Sequence, residues 1–101
     1  MKVVFSPAAE ADLIDIALYI AKDNPTRALS FADELEAACL KLGDAPAIGK
    51  ARPTLGVGIR TLPQGNYLVI YRAQNGNVRI ERILHGARDI DGLFTSEAPS
   101  E

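Results

Sequence analysis

The spacing of apolar residues changes twice along this chain, and the changes divide it into a strand, two helices and a run of strands. The opening "KVVFS" (residues 2–6) is a β-branched and aromatic run closed by Ser-Pro, the pattern of a short strand. From Pro7 the period changes. Ala9, Leu13, Ile16, Ala17 and Ile20 recur at three- and four-residue steps, which predicts one buried helix face ending near Lys22-Asp23. Ser6 is placed to cap this helix with its hydroxyl, and Pro7 at the first helical position forfeits only an N–H that has no intrahelical partner. Asn24-Pro25 repeats the signal and opens a second helix. Its stripe is Ala28, Ala32, Leu35, Cys39 and Leu42, widened by Phe31 and Ala38. Gly43 suits the left-handed position that follows a helix. The short connection predicts an antiparallel helical hairpin. Leu18 and Leu40 fall off the main stripes, which leaves them for the other helix or for a partner.

Residues 43–58 hold Pro46, Pro53 and several glycines and read as one long loop, a common site of binding surfaces. Strand patterns then return. "GIRTLP" ends at the turn "PQGN", and "YLVIYRA" (67–73) is apolar on both faces up to Arg72, as in a central strand. Asn75-Gly76 is a strong hairpin signal and leads into "VRIERIL" (78–84). A helical turn over "ARDIDGLF" completes the pattern, and "TSEAPSE" is expected to fray. The predicted fold class is α+β: a strand, a helical hairpin and three antiparallel strands, with the hairpin covering one face of the sheet. One domain is expected over 1–94, with a tail at 95–101.

Composition changes this picture little. At 101 residues, 48% hydrophobic and 24% charged, the chain has ordinary globular usage. No apolar run approaches the ~20 residues needed to cross a bilayer. Acids interrupt the opening segment where a secretion signal would be apolar, so a soluble cytoplasmic protein with no membrane partner is expected. The single cysteine, Cys39, excludes an internal disulfide and a thiolate-rich zinc site, and on a helix stripe it reads as a small buried hydrophobe. No metal or cofactor is expected.

Charge is informative through its distribution. Residues 1–48 carry four Lys/Arg and eight Asp/Glu, whereas residues 49–90 carry seven Lys/Arg against Glu81 and Asp89. A basic second half suits an acidic partner. The net charge of −2 argues against a protein that lives on nucleic acid.

The element order, "PAIGKARP" in the loop, "IRTLPQGNYLVIYR" and above all "VRIERILHGARDI" resemble the ParE branch of the RelE/ParE toxin superfamily, over about residues 2–94. The resemblance implies the toxin half of a bacterial type II toxin–antitoxin pair that arrests growth when unopposed. It implies a cognate ParD-like antitoxin whose C-terminal region wraps the toxin, and DNA gyrase as the target. It does not imply sequence-specific nucleic-acid binding by the toxin alone. RelE-like relatives instead cleave messenger RNA on the ribosome, and that activity is the alternative.

The residues can be asked which chemistry they suit. RNA cleavage needs an acid–base group and cations for the phosphate. His85, the only histidine, ends the last strand where RNA-cleaving relatives place part of their apparatus. Arg60 matches a position that is often arginine across the superfamily. These are the two catalytic candidates. The tyrosine or further basic residue that RNases add after this strand is missing, since Gly86, Ala87, Arg88 and Asp89 follow. Tyr67 and Tyr71 share one strand face and read as packing residues. The partner-contact set is therefore Arg60, Arg72, Arg82, His85 and Arg88, with Leu18 and Leu40. Arg72 and Arg79 read as solvated. Arg82 falls in phase with Val78, Ile80 and Leu84. It needs either a carboxylate from the helices or the antitoxin, or a bulge that changes the phase.

Overall fold

The structure, a computed structural model, describes residues 1–86. The helical turn, Arg88 and the tail lie outside the described residues. Within them the order is β1 (Lys2–Phe5), α1 (Pro7–Ala21), α2 (Pro25–Lys41), β2 (Lys50–Ala51), a 3₁₀ turn (Pro53–Leu55), β3 (Ile59–Gln64), β4 (Tyr67–Gln74) and β5 (Asn77–His85).

Both helix starts follow the sequence reading. Ser6 Oγ accepts from Ala9 N at 2.9 Å, and Asn24 Oδ1 accepts from Arg27 N at 3.0 Å. Each cap takes one of the donors that a helix start leaves without a partner. The end of α2 differs from expectation. Gly43 is not left-handed. A Cβ on it would lie 2.5 Å from the Met1 carbonyl oxygen, so glycine is required there by the close approach of the chain start.

The sheet order is β1-β5-β4-β3-β2. The three expected strands form the antiparallel meander, with Asn75 and Gly76 both at positive φ in the β4–β5 turn. Two features enlarge it. β1 pairs with β5 in parallel, which makes the sheet mixed. The loop 43–58 also contributes the two-residue β2, antiparallel to β3, so it is less irregular than its prolines and glycines imply.

The core lies between the hairpin and one sheet face. Ala9, Ile16, Phe31, Leu35, Cys39 and Leu42 of the helical segment meet Tyr67, Val69, Tyr71, Val78, Ile80 and Ile83 of the sheet. This is the predicted stripe packing, and Tyr67 and Tyr71 do share the covered face. A smaller cluster of Ile59 and Ile70, flanked by Leu55, Leu68 and Leu84, occupies the other face. Burial pushes the Cys39 thiol up to about 12, with the charge of Glu36 adding to it. No described helix is long and apolar enough to cross a membrane.

A β-bulge resolves the phase of β5. Ile80 pairs with Tyr71 but Arg82 pairs with Ile70, so Glu81 is the extra residue. Before the bulge Val78 and Ile80 face the core, and after it Ile83 does. Arg82 thus leaves the apolar face on which strict alternation places it.

Candidate functional site

The bulge is held by the helix layer. β1 ends opposite Ile80, so the outer edge of β5 beyond that point has no described strand beside it. Ser6 N donates to Ile80 O at 2.9 Å, and Ser6 Oγ donates to Glu81 O at 2.8 Å. Asp12 of α1 completes the clamp. Its Oδ2 accepts from Ile83 N at 2.9 Å and from Arg82 Nε at 2.8 Å, while Oδ1 accepts from Arg82 Nη2 at 3.0 Å. Both alternatives for Arg82 therefore hold together: a bulge changes the phase, and a helix carboxylate pairs the guanidinium. In the sequence Asp12 reads, with Glu10, only as an acid near the positive end of the α1 dipole.

Arg72 and Arg79 are not simply solvated. They pair directly across β4 and β5, and Glu81 lies between them, with its carboxylate oxygens 3.3 Å from the Nε of each. Arg72 Nε is buried, and its contact with Glu81 is one of charge without hydrogen-bond alignment. The bulge supplies this arrangement, because it aims the extra residue Glu81 at the face its neighbours occupy.

Arg60 has a different role. Register with Tyr71 places it on the helix side of β3. Its Nη1 donates to Gly49 O at 2.8 Å and to Ala47 O at 3.4 Å. Tyr71 reinforces the same loop: its hydroxyl donates to Pro46 O at 2.7 Å and accepts from Gly49 N at 2.9 Å. Two side chains from the sheet thus fasten residues 46–49. The loop then holds Ile48 out at 65% exposure, beside an open groove of about 580 Å³. Ala37, Ala38, Leu42, Leu62 and Pro63 line this groove, with Glu34 and Lys41 among its charged residues.

His85 ends β5 opposite Tyr67, and its ring stands edge-on to the Tyr67 ring at 5.3 Å. Tyr67 lies 5.5 Å from Phe31, over which the Arg27 guanidinium sits at 5.1 Å. Gly86 N donates to Asn66 O at 2.8 Å and closes the corner. His85 therefore belongs to an aromatic stack at the end of the sheet.

The structure does not bring the two catalytic candidates together. Arg60 is paired with Tyr71 and His85 with Tyr67, on opposite sides of β4 and four residues apart along it. Strand rise and spacing put their backbones roughly 17 Å apart. Leu18 and Leu40 do not bury against the facing helix. Together with Ile14 and Leu29 they are more than half exposed on the hairpin. Among the described residues no group of His, Cys, Asp or Glu is arranged to hold a metal ion.

Comparison with known proteins accords with this geometry. Residues 3–90 match the model of the ParE toxin of the type II toxin–antitoxin system parDE. The fold is similar to a chain of the chromosomal ParDE toxin–antitoxin system from P. aeruginosa. That match has a TM-score of 0.75 and 24% identity, and covers 84% of this chain and 95% of the other. It is also similar to a chain of the toxin–antitoxin complex RelBE2 from Mycobacterium tuberculosis. There the TM-score is 0.56 and the identity 28%, with 83% and 95% of the two chains covered. No curated protein matches by sequence alone. With the family match spanning nearly all of the described fold, the chain belongs to the ParE toxin family of type II toxin–antitoxin systems.

Proposed function

We propose that this toxin acts by binding, with DNA gyrase as its target, and that a ParD-like antitoxin neutralises it. The observation that carries the binding mode is the separation of Arg60 from His85. The two lie on strands either side of β4 and four residues apart along it, and Arg60 is already engaged by the carbonyls of Ala47 and Gly49. General acid–base catalysis needs its groups within hydrogen-bond reach of the same reacting atoms. This supports a gyrase-binding toxin over the alternative, a ribosome-dependent mRNA endoribonuclease.

The antitoxin reading rests on the hairpin. Ile14, Leu18, Leu29 and Leu40 leave large apolar side chains in water, and an amphipathic helix is the partner that covers such a surface. The groove beside α2 with Ile48 at its lip extends the apolar surface toward the sheet. Arg60, Arg72, Arg82 and His85 form the remaining described contact set, and Arg88 belongs to it by sequence. Work in the cytoplasm follows from such a target.

Supercoiling by purified gyrase, with and without the chain, tests the target. Inhibition with accumulation of cleaved DNA is expected, and unaltered supercoiling at large toxin excess refutes it. Toxicity on expression without antitoxin should survive Arg60→Ala and His85→Ala. If either variant abolishes growth arrest while remaining folded, the endoribonuclease reading takes its place. Copurification with the product of the adjacent gene tests the antitoxin.

A further inference from the structure

The net charge of −2 conceals a separation of charge between the two layers. The helices carry six carboxylates (Glu10, Asp12, Asp15, Asp33, Glu34 and Glu36) against Arg27 and Lys41. The sheet face away from the helical hairpin carries the reverse. Cross-strand pairing places Lys2, Lys50, Arg72 and Arg79 there, in phase with Val4, Thr61, Ile59 and Ile70. Arg52 joins them, since its Nε donates to Thr61 Oγ1 at 3.1 Å. Among the described residues of this face the only carboxylate is Glu81.

We propose that this face, away from the helical hairpin, is a contact surface for the phosphodiester backbone of duplex DNA. It does not depend on gyrase being the target. Arg52, Ile59, Arg72 and Arg79 stand at one level across the sheet. At strand spacing the row spans about 14 Å, roughly the axial rise of four nucleotides of one DNA strand. Guanidinium forks suit phosphate oxygens, and strands hold them more firmly than loops do. Two arginines directly opposite each other repel, and one shared carboxylate cannot neutralise both. An incoming phosphate completes their charge balance.

The choice of duplex DNA follows from what this face offers. The described aromatic residues are elsewhere: Phe5, Phe31, Tyr67 and Tyr71 pack with the helix-side core, His85 stands against Tyr67, and Tyr19 is on α1. Among the described residues, unstacked RNA bases would find no ring on this face to stack on. Among the described residues this face is a sheet surface with no helix to enter a groove, so its contacts are with backbone and independent of sequence. Arg72 and Arg79 stand where both edges of their strands are hydrogen-bonded, so an acidic peptide cannot dock there by strand addition.

Fluorescence anisotropy of a short labelled DNA duplex, titrated with the full chain across a salt series, tests the proposal. Three arginine–phosphate contacts give a log–log salt slope of about −2.7, and the Arg72→Gln/Arg79→Gln double variant should lose about 1.8 of it. Glu81→Gln should bind more tightly, an outcome that mere damage to the fold does not produce. Absence of saturable binding at low salt overturns the proposal, as does unchanged binding by the double variant. Binding of a glutamate-rich peptide without DNA would assign the face to an acidic protein, and preference for single-stranded RNA would assign it to RNA. Either result overturns the duplex assignment.

Discussion

Replacing Asp12 by alanine should destabilise the fold by about 2–3 kcal/mol, mainly through one backbone group. The Asp12 side chain is 12% exposed, and it is the acceptor for Ile83 N on an edge that β1 no longer covers. A hydrogen bond to a charged group contributes about 1.5–3 kcal/mol, and a donor left without a partner costs a similar amount. The ion pair adds less. Arg82 is 48% exposed, so water screens its pairing with Asp12. Exposed pairs contribute about 0.2–1 kcal/mol. The series therefore has an order. Asp12→Ala should cost most. Asp12→Asn keeps an acceptor for Ile83 N and loses the charge, so about 1 kcal/mol is expected. Arg82→Ala should cost under about 1 kcal/mol. Urea unfolding followed by circular dichroism measures all three, with the slope of free energy against urea unchanged if the denatured state is unaffected. If Arg82→Ala costs as much as Asp12→Ala, the ion pair rather than the Ile83 N–H bond dominates.

Other outcomes follow from the loop clamp, the thiol and the hairpin surface. Tyr71→Phe removes the acceptor for the buried Gly49 N–H and the donor to Pro46 O, so a loss of about 1–3 kcal/mol is expected in thermal or urea unfolding. Gly49→Ala should be at least as harmful, since a Cβ there would lie 2.7 Å from Tyr71 Cε1 and 2.9 Å from Thr61 O. Cys39, pushed up to about 12, should resist alkylation at pH 8 in the native chain and react readily in urea. Because its folded value is raised, its contribution to stability is complete below the unfolded thiol value and declines as pH rises from there toward 12. Leu18→Ser with Leu40→Ser should leave unfolding within about 0.5 kcal/mol of the parent. The same pair should weaken antitoxin binding in calorimetry, and undiminished affinity would remove these residues from the interface.

Local rules already identified the helix starts, both helix stripes, the meander and its Asn-Gly turn, because each depends on residues close in the chain. Capping by Ser6 and Asn24 needs only the next few residues, and strand alternation needs only its neighbours. The parallel pairing of β1, the short β2 and the tight approach at Gly43 were not legible in this way. Each is decided by what arrives from a distant part of the chain: β5, β3 and Met1. The candidate site divides along the same line. Arg82 was recognisable as an anomaly, since an arginine in an apolar phase needs an explanation. Its resolution required Asp12, 70 residues away, and a bulge whose position depends on the register with β4. Arg60 and His85 were legible as chemically suitable residues, but distance between strands is invisible to pattern, and the sheet holds them apart. The sequence showed a basic second half. Only the tertiary structure sorted those charges by face, because strand alternation and the bulge place the arginines of β4 and β5 opposite an acidic helix layer.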